Sequence, residues 1–218
     1  MKSGIAKQQV ANTIQNNMDK LRVARRRDAS KKGTLKARKR NEMESFFDAI
    51  ANNGNNNENN TKNKKPTTEV NLTGNLKFLG LNTTERTKTA SAFGTNKHVT
   101  KVTMTKLKLD DDFAAAFGEA LATNTTLQTV SLDSNSFSGR GVLALLGGLA
   151  RNTSVTNFQV RHQSKTMASS DEEVLPGLLA NNTTLLKLGT DARNPLVQTK
   201  LDRKTNENRE LQRKKRRK

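Results

Sequence analysis

The chain has 218 residues, of which 32% are hydrophobic, with eight Phe, no Trp, Tyr or Cys, and a formal net charge of +19. So small an apolar fraction excludes one large core running the whole length, and the lack of cysteine excludes disulfides, thiolate catalysis and Cys-based zinc sites. The charge is segregated: residues 1–40 carry a net +11, residues 200–218 a net +7, and the 159 residues between them a net +1. Two interaction arms flanking a near-neutral body fit that distribution better than one basic binding face.

In chain order, the opening MKSGIAKQQVANTIQNNMDK lacks the apolar stretch of a secretory signal, and the longest apolar run, GVLALLGGLA, is too short to cross a bilayer. No membrane span is expected, and the expected location is the cytoplasm. Within residues 1–40, Val10, Ile14, Met18 and Leu21 space as a helical stripe ahead of RRRDASKKGTLKARKR, a solvated basic helix able to hold anionic partners. Met43, Phe46, Phe47 and Ile50 form a second stripe suited to a capping helix, and the Asn/Lys-rich tract at about 51–65 has nothing to bury. The division expected is a basic arm over 1–40, a repeat domain over 41–199 and a basic helix or tail over 200–218.

The body repeats. NKHVTKVTM begins at Asn96, NTTLQTVSL at Asn124, NTSVTNFQV at Asn152 and NTTLLKLGT at Asn182, at spacings of 28, 28 and 30 residues. Apolar residues follow each Asn at three and six positions, and in the first three copies at eight: Val99, Val102, Met104; Leu127, Val130, Leu132; Val155, Phe158, Val160; then Leu185 and Leu188. PTTEVNLTGN is an earlier, degenerate copy that keeps Val70 and Leu72. The last two apolar positions alternate around a polar one, so each copy supplies one short strand. Lys101, Thr103, Thr129, Ser131, Asn157, Gln159 and Lys187 then face the other way, onto the concave side.

Between strands, Phe113, Ala116, Phe117, Ala120 and Leu121, and then Val142, Leu145, Leu146 and Leu149, have the spacing of helices with one apolar face. One strand and one helix per copy cannot bury their apolar sides alone, whereas stacked neighbours can. The fold expected is an α/β right-handed leucine-rich repeat solenoid of ribonuclease-inhibitor type, with parallel strands on the concave face, helices outside and a capping helix at each end. Asp110 and Ser170 are the expected N-caps, with Glu173 completing a capping box. Acids such as Asp110 and Asp112 are read as cap and dipole partners, with no convergent metal ligands visible, and Pro176 shortens or kinks the last repeat's helix.

The segments MESFFDAIANN, PTTEVNLTGN, the strands at Asn96 and Asn124, SNSFSGRGVLALLGGLARN, NNTTLLKLG and LDRKTNENRELQRKKRRK follow one another as in the C-terminal leucine-rich repeat domain of tropomodulins and leiomodins. The resemblance covers about residues 43–218, with SN-x-F-SG-x-G-x-LAL and the closing basic helix its most specific parts. It implies actin as the partner and binding or capping of the filament's slow-growing, pointed end. Tropomyosin enters as a partner through the family alone, because residues 1–40 do not resemble the family's tropomyosin-binding half. The arm is similar in outline to a WH2 motif, the short actin-monomer binder of leiomodins.

Other functions are weaker. His98 and His162 assemble no Ser/His/Asp or Cys/His constellation, so no enzyme, cofactor or small-molecule substrate is expected. Gly139, Gly141 and Gly147 lack the spacing and the Lys-Ser/Thr of a phosphate loop, and are read as turn and packing glycines. The alternative is a nucleic-acid- or ribosome-associated protein that uses ARRR, KARKR and RKKRRK, with a nuclear location. The residues read as actin contacts are Lys200, Arg203, Arg209, Arg213 and Lys214, on the basic side of the closing helix. The repeat scaffold is Asn96, Val102, Asn124, Leu127, Val130, Leu132, Asn152, Val155, Phe158, Asn182, Leu185 and Leu188.

Overall fold

Parallel strands of three residues each need a return path longer than the strand itself, and in the computed structural model helices supply it. The structure describes residues 68–217. The N-terminal arm with its WH2-like outline, the stripe of Met43, Phe46, Phe47 and Ile50, and the Asn/Lys-rich tract all lie outside the described residues. β1 (Glu69–Asn71), β2 (Lys101–Thr103), β3 (Thr129–Ser131), β4 (Asn157–Gln159) and β5 (Lys187–Gly189) pair in chain order as one parallel sheet. The return path after β1 is α1 (Leu76–Leu79) and α2 (Thr83–Thr95); α3 (Asp111–Thr123), α4 (Gly139–Arg151) and α5 (Ser169–Leu178) follow the next three strands, and α6 (Pro195–Arg216) closes the domain. This is a leucine-rich repeat solenoid.

The register places Val70, Val102, Val130, Phe158 and Leu188 side by side as the middle residues of the five strands. Val102, Val130 and Phe158 are fully buried, as are Met104, Leu127, Leu132 and Val155. Leu188, expected to point inward like the others, is only half-buried. Its strand is one of the two at the sheet's edges. From the helices, Phe113 stacks on Phe117 (centroids 5.8 Å apart) and Phe117 meets Phe93 of α2 edge-on at 5.6 Å, an arrangement that aromatic quadrupoles favour.

The repeated asparagines have a structural task. Each stands just past a helix and is 3% exposed, and the last three work in both directions: in Asn124, Nδ2 donates to Phe93 O (2.6 Å) and Asn96 O (3.0 Å), while Oδ1 accepts from Thr126 N and Leu127 N. Asn152 donates to Leu121 O and Asn124 O, and Asn182 to Leu149 O and Asn152 O. A buried ladder thus satisfies the carbonyls that each helix end leaves open. A second ladder, absent from the sequence reading, runs at the other end of the strands. There Asn135 Nδ2 donates to Met104 O and Leu132 O, and its Oδ1 accepts from Leu107 N and Leu109 N.

Helix starts depart from expectation in one repeat. Asp110 caps α3, its carboxylate accepting from Phe113 N at 3.0 Å, and an unforeseen capping box, Asn82 with Glu85, opens α2. Ser170 is not a cap and Glu173 completes no box. α5 begins two residues earlier than a cap at Ser170 requires, so Ser170 lies within its first turn behind Ala168, whose side chain offers no acceptor. The buried acid there is Glu172, whose Oε2 accepts from Arg193 N (3.0 Å) and Asn194 N (2.9 Å) and so fixes the chain entering α6. Pro176 sits inside α5, which has 10 residues against 13 in α3 and α4. Helices α3 and α4 approach so closely that a Cβ on Gly148 would lie 1.9 Å from Gly118 O. Gly147, in contrast, has nothing within 4 Å and is no packing glycine.

Candidate functional site

The closing helix is specified by its own sequence. Asn194 accepts from Leu196 N at 3.0 Å, Pro195 occupies the first turn where its missing N–H costs nothing, and Arg213, Lys214, Lys215 and Arg216 lie in the last turn, where cations favour the negative end of the helix dipole. Val197, Leu201, Thr205 and Asn208 form the buried face. Asn208 is the terminal rung of the ladder, with Nδ2 donating to Asn182 O (3.1 Å) and Leu185 O (2.9 Å). No sequence period marks it, since it comes from a helix and not from the start of a repeat. The boundary read at residue 200 falls inside α6.

The five basic residues singled out on this helix have different surroundings. Arg209 lies against the domain, its Nε donating to Leu186 O at 2.9 Å and its guanidinium also to Asn206 Oδ1. Arg203 pairs with Glu207 at 3.1 Å and Arg213 with Glu210, all four exposed. Lys200 and Lys214 are exposed. Arg203, Leu211 and Lys214 line one open concavity along α6 together with Asp202, Glu207 and Glu210, so this strip is mixed in charge, and only the last turn is purely cationic. Leu196 and Leu211 are 71% and 44% exposed on the same helix.

The solvent face of the sheet is polar and largely paired within itself. Lys101 pairs with Glu69 at 3.2 Å, Arg161 with Asp133 at 3.4 Å, and Thr105 Oγ1 donates to Thr73 Oγ1 at 3.0 Å. Thr103, Thr129, Ser131 and Asn157 are half-buried, and Lys187 is exposed. Gln159, expected at the surface, is buried; its carbonyl group occupies the space a side chain at position 189 would fill, which Gly189 leaves open.

At the strand-to-helix loops, Asp111 Oδ1 accepts from Ser138 N (2.8 Å) and Oδ2 from Ser138 Oγ (2.5 Å), tying α3 to the start of α4. Burial pushes the Asp111 carboxyl up, but the two Ser138 hydrogen bonds and the nearby Lys165 and Arg140 outweigh it and hold it below the ordinary carboxylate value. Among the described residues no group of three or more His, Cys, Asp or Glu is placed to hold a metal ion, and no helix is long and apolar enough to cross a membrane.

A parallel sheet of one-strand repeats, tied by asparagine ladders and closed by a basic helix, defines a leucine-rich repeat protein. The family model for the TMOD/LMOD leucine-rich domain matches residues 50–211, and the chain belongs to the tropomodulin/leiomodin family. It is similar to human leiomodin-2, 35% identical over 127 residues covering 58% of this chain and 23% of that protein. Rat leiomodin-1 is 37% identical over 82 residues, which is 38% of this chain and 14% of that protein. The chain thus spans less than a quarter of the length of these relatives. Among solved structures it resembles the leiomodin-1 actin-binding site 2, with a TM-score of 0.68 and 26% identity over 78% of this chain and 91% of that one. The Caenorhabditis elegans tropomodulin C-terminal domain shares the fold, with a TM-score of 0.66 at 18% identity over 80% of this chain and 97% of that one.

Proposed function

We propose that this chain binds actin through its leucine-rich repeat domain and, in the most specific form of the reading, occupies the pointed end of the filament and blocks subunit exchange there. The observation that carries the reading is the likeness to the solved leiomodin-1 actin-binding site 2, which covers 91% of that structure. The mechanism needs no bond-making step: a rigid ladder-tied scaffold presents a fixed surface, and surface occupied on a terminal subunit is surface denied to the next one. A cytoskeletal location follows from this reading. No observation on the described residues favours tropomyosin or nucleic acid as the partner.

Charge contacts are assigned to Lys200, Arg203, Arg209, Arg213 and Lys214, supported by their place on the closing helix. Cationic side chains facing an acidic partner raise association rates and weaken with salt. The cleanest test uses Arg213→Glu with Lys214→Glu, because Arg209 also supports β5 and reversing it would disturb the fold. The double reversal lowers actin affinity in co-sedimentation by about tenfold and leaves the circular dichroism spectrum unchanged. Equal binding by the variant would remove these two residues from the site, and unimpeded elongation from pointed-end seeds with wild-type protein would remove capping from the reading.

A further inference from the structure

The fourth repeat differs from the others in one loop. Seven residues join β2 to α3 and β3 to α4, whereas nine, residues 160–168, join β4 to α5. From the start of α5 to Asn182 the spacing is the same as from α4 to Asn152, so the 30-residue interval in place of 28 lies wholly in this loop. Next to it lies a cleft of about 510 Å3, reaching from the loop to the segment after β5. Its floor is the apolar trio Phe137, Val142 and Val160.

Its rim is cationic and hydroxyl-bearing. Lys165 and Arg193 reach it from two different loops, with His162 beside them. None of the three side chains makes a hydrogen bond or an ion pair of 4 Å or less, although Arg140, Arg151 and Arg161 elsewhere on the domain are all paired. Ser138, Thr166 and Thr190 add hydroxyls to the lining. Thr190 Oγ1 is buried without a hydrogen-bond partner, a state that costs free energy unless a ligand or water completes it. The lining holds one carboxylate, Asp191, which is fixed by accepting from Gln163 N at 2.9 Å and keeps its charge, against the two cations. Where α3 carries Asp111 against Ser138, the corresponding first residue of α4 is Gly139, and the Asp171 carboxylate of α5 lies in the space its missing side chain leaves.

We infer that this cleft is a binding site for a phosphate group, with Lys165 and Arg193 as the charge partners and the Thr190 hydroxyl as a donor. Two cations converging with hydroxyls over an apolar floor suit a tetrahedral dianion with a compact body behind it. None of the residues lining the cleft belongs to α6, the helix to which the charge contacts with actin are assigned.

The test titrates the full chain with inorganic phosphate at physiological ionic strength, followed by calorimetry and thermal melting. O-phosphoserine and a soluble inositol phosphate come next, the tighter of the two identifying the source of the group. Saturable binding is expected, with affinity falling about tenfold or more in Lys165→Ala with Arg193→Ala. Thr190→Val holds or raises the melting temperature without phosphate, since it removes an unsatisfied hydroxyl, and abolishes most of the phosphate-induced rise. A chain this basic attracts any anion, so Arg213→Ala with Lys214→Ala serves as the control and leaves the phosphate affinity within about twofold. No saturable binding, or equal losses from the cleft and control variants, would overturn the assignment.

Discussion

At the scale of single residues, buried asparagine amides tie one repeat to the next. Asn152 is 3% exposed and holds Leu121 O, Asn124 O, Ser154 N and Val155 N at once. Asn152→Ala strands three buried polar groups and a part-buried one, and a loss of about 3–5 kcal/mol is expected in urea unfolding. A loss under about 1 kcal/mol would show that water fills the site. The Asp111–Ser138 contact gives a pH dependence of known sign. The carboxyl of Asp111 is lowered in the folded state, so its contribution is complete above the unfolded carboxylate value of about 4 and fades as pH falls through the lower folded value. The stability gap between wild type and Ser138→Ala is therefore constant near neutrality and narrows only below about pH 4. A gap that stayed constant into strong acid would assign the effect to packing.

At the scale of elements, two adjacent glycines make opposite predictions. In helix α4 a Cβ at Gly148 would meet Gly118 O and Cα of α3, at 1.9 and 2.8 Å, while Gly147 faces open space. Gly147→Ala gains about 0.5–1 kcal/mol from helix propensity. Gly148→Ala overrides that gain by forcing two helices apart and loses about 2–4 kcal/mol. Chemical denaturation of both variants reads the contrast directly, and a stabilised Gly148→Ala would refute the close contact. The same elements show which features the sequence carried. The strands were legible because Val102, Val130 and Phe158 each alternate with polar neighbours, and α3 and α4 because apolar residues recur along one face. Helix α2 was not, since its buried residues are Thr89, Ala90 and Phe93, of which only Phe93 reads as core. The start of α5 was misplaced because Ser-Ser-Asp-Glu-Glu fits a cap at either serine, and only the longer preceding loop fixes where the helix begins.

At the scale of the whole domain, each repeat is stabilised by its neighbours, and the last one depends on α6. Leu201 is 2% exposed on the buried face of that helix. Leu201→Ala costs about 2–4 kcal/mol, and the loss is local: amide exchange quickens first at β5 and the ladder rung at Asn182, while β2 and β3 keep their protection. Uniform acceleration across all five strands would show instead a domain that unfolds as one unit. The exposed pair Arg203 and Glu207 adds little to this cap, on the order of 0.3–0.5 kcal/mol, so charge changes on the outer side of α6 leave the fold intact for binding experiments.

By itself the sequence determined the period, the strand positions and the basic closing segment, because periodic apolar residues have one common solution when no unit can bury its own face. Tertiary structure alone decided what the asparagines bond, that Asn208 ends their ladder, that Gln159 lies folded into the space above Gly189, and which of the basic residues stand free. Those outcomes depend on contacts between residues some 23 to 33 positions apart, and a side chain's partner at that distance is set by the stacking of repeats, which local pattern does not encode.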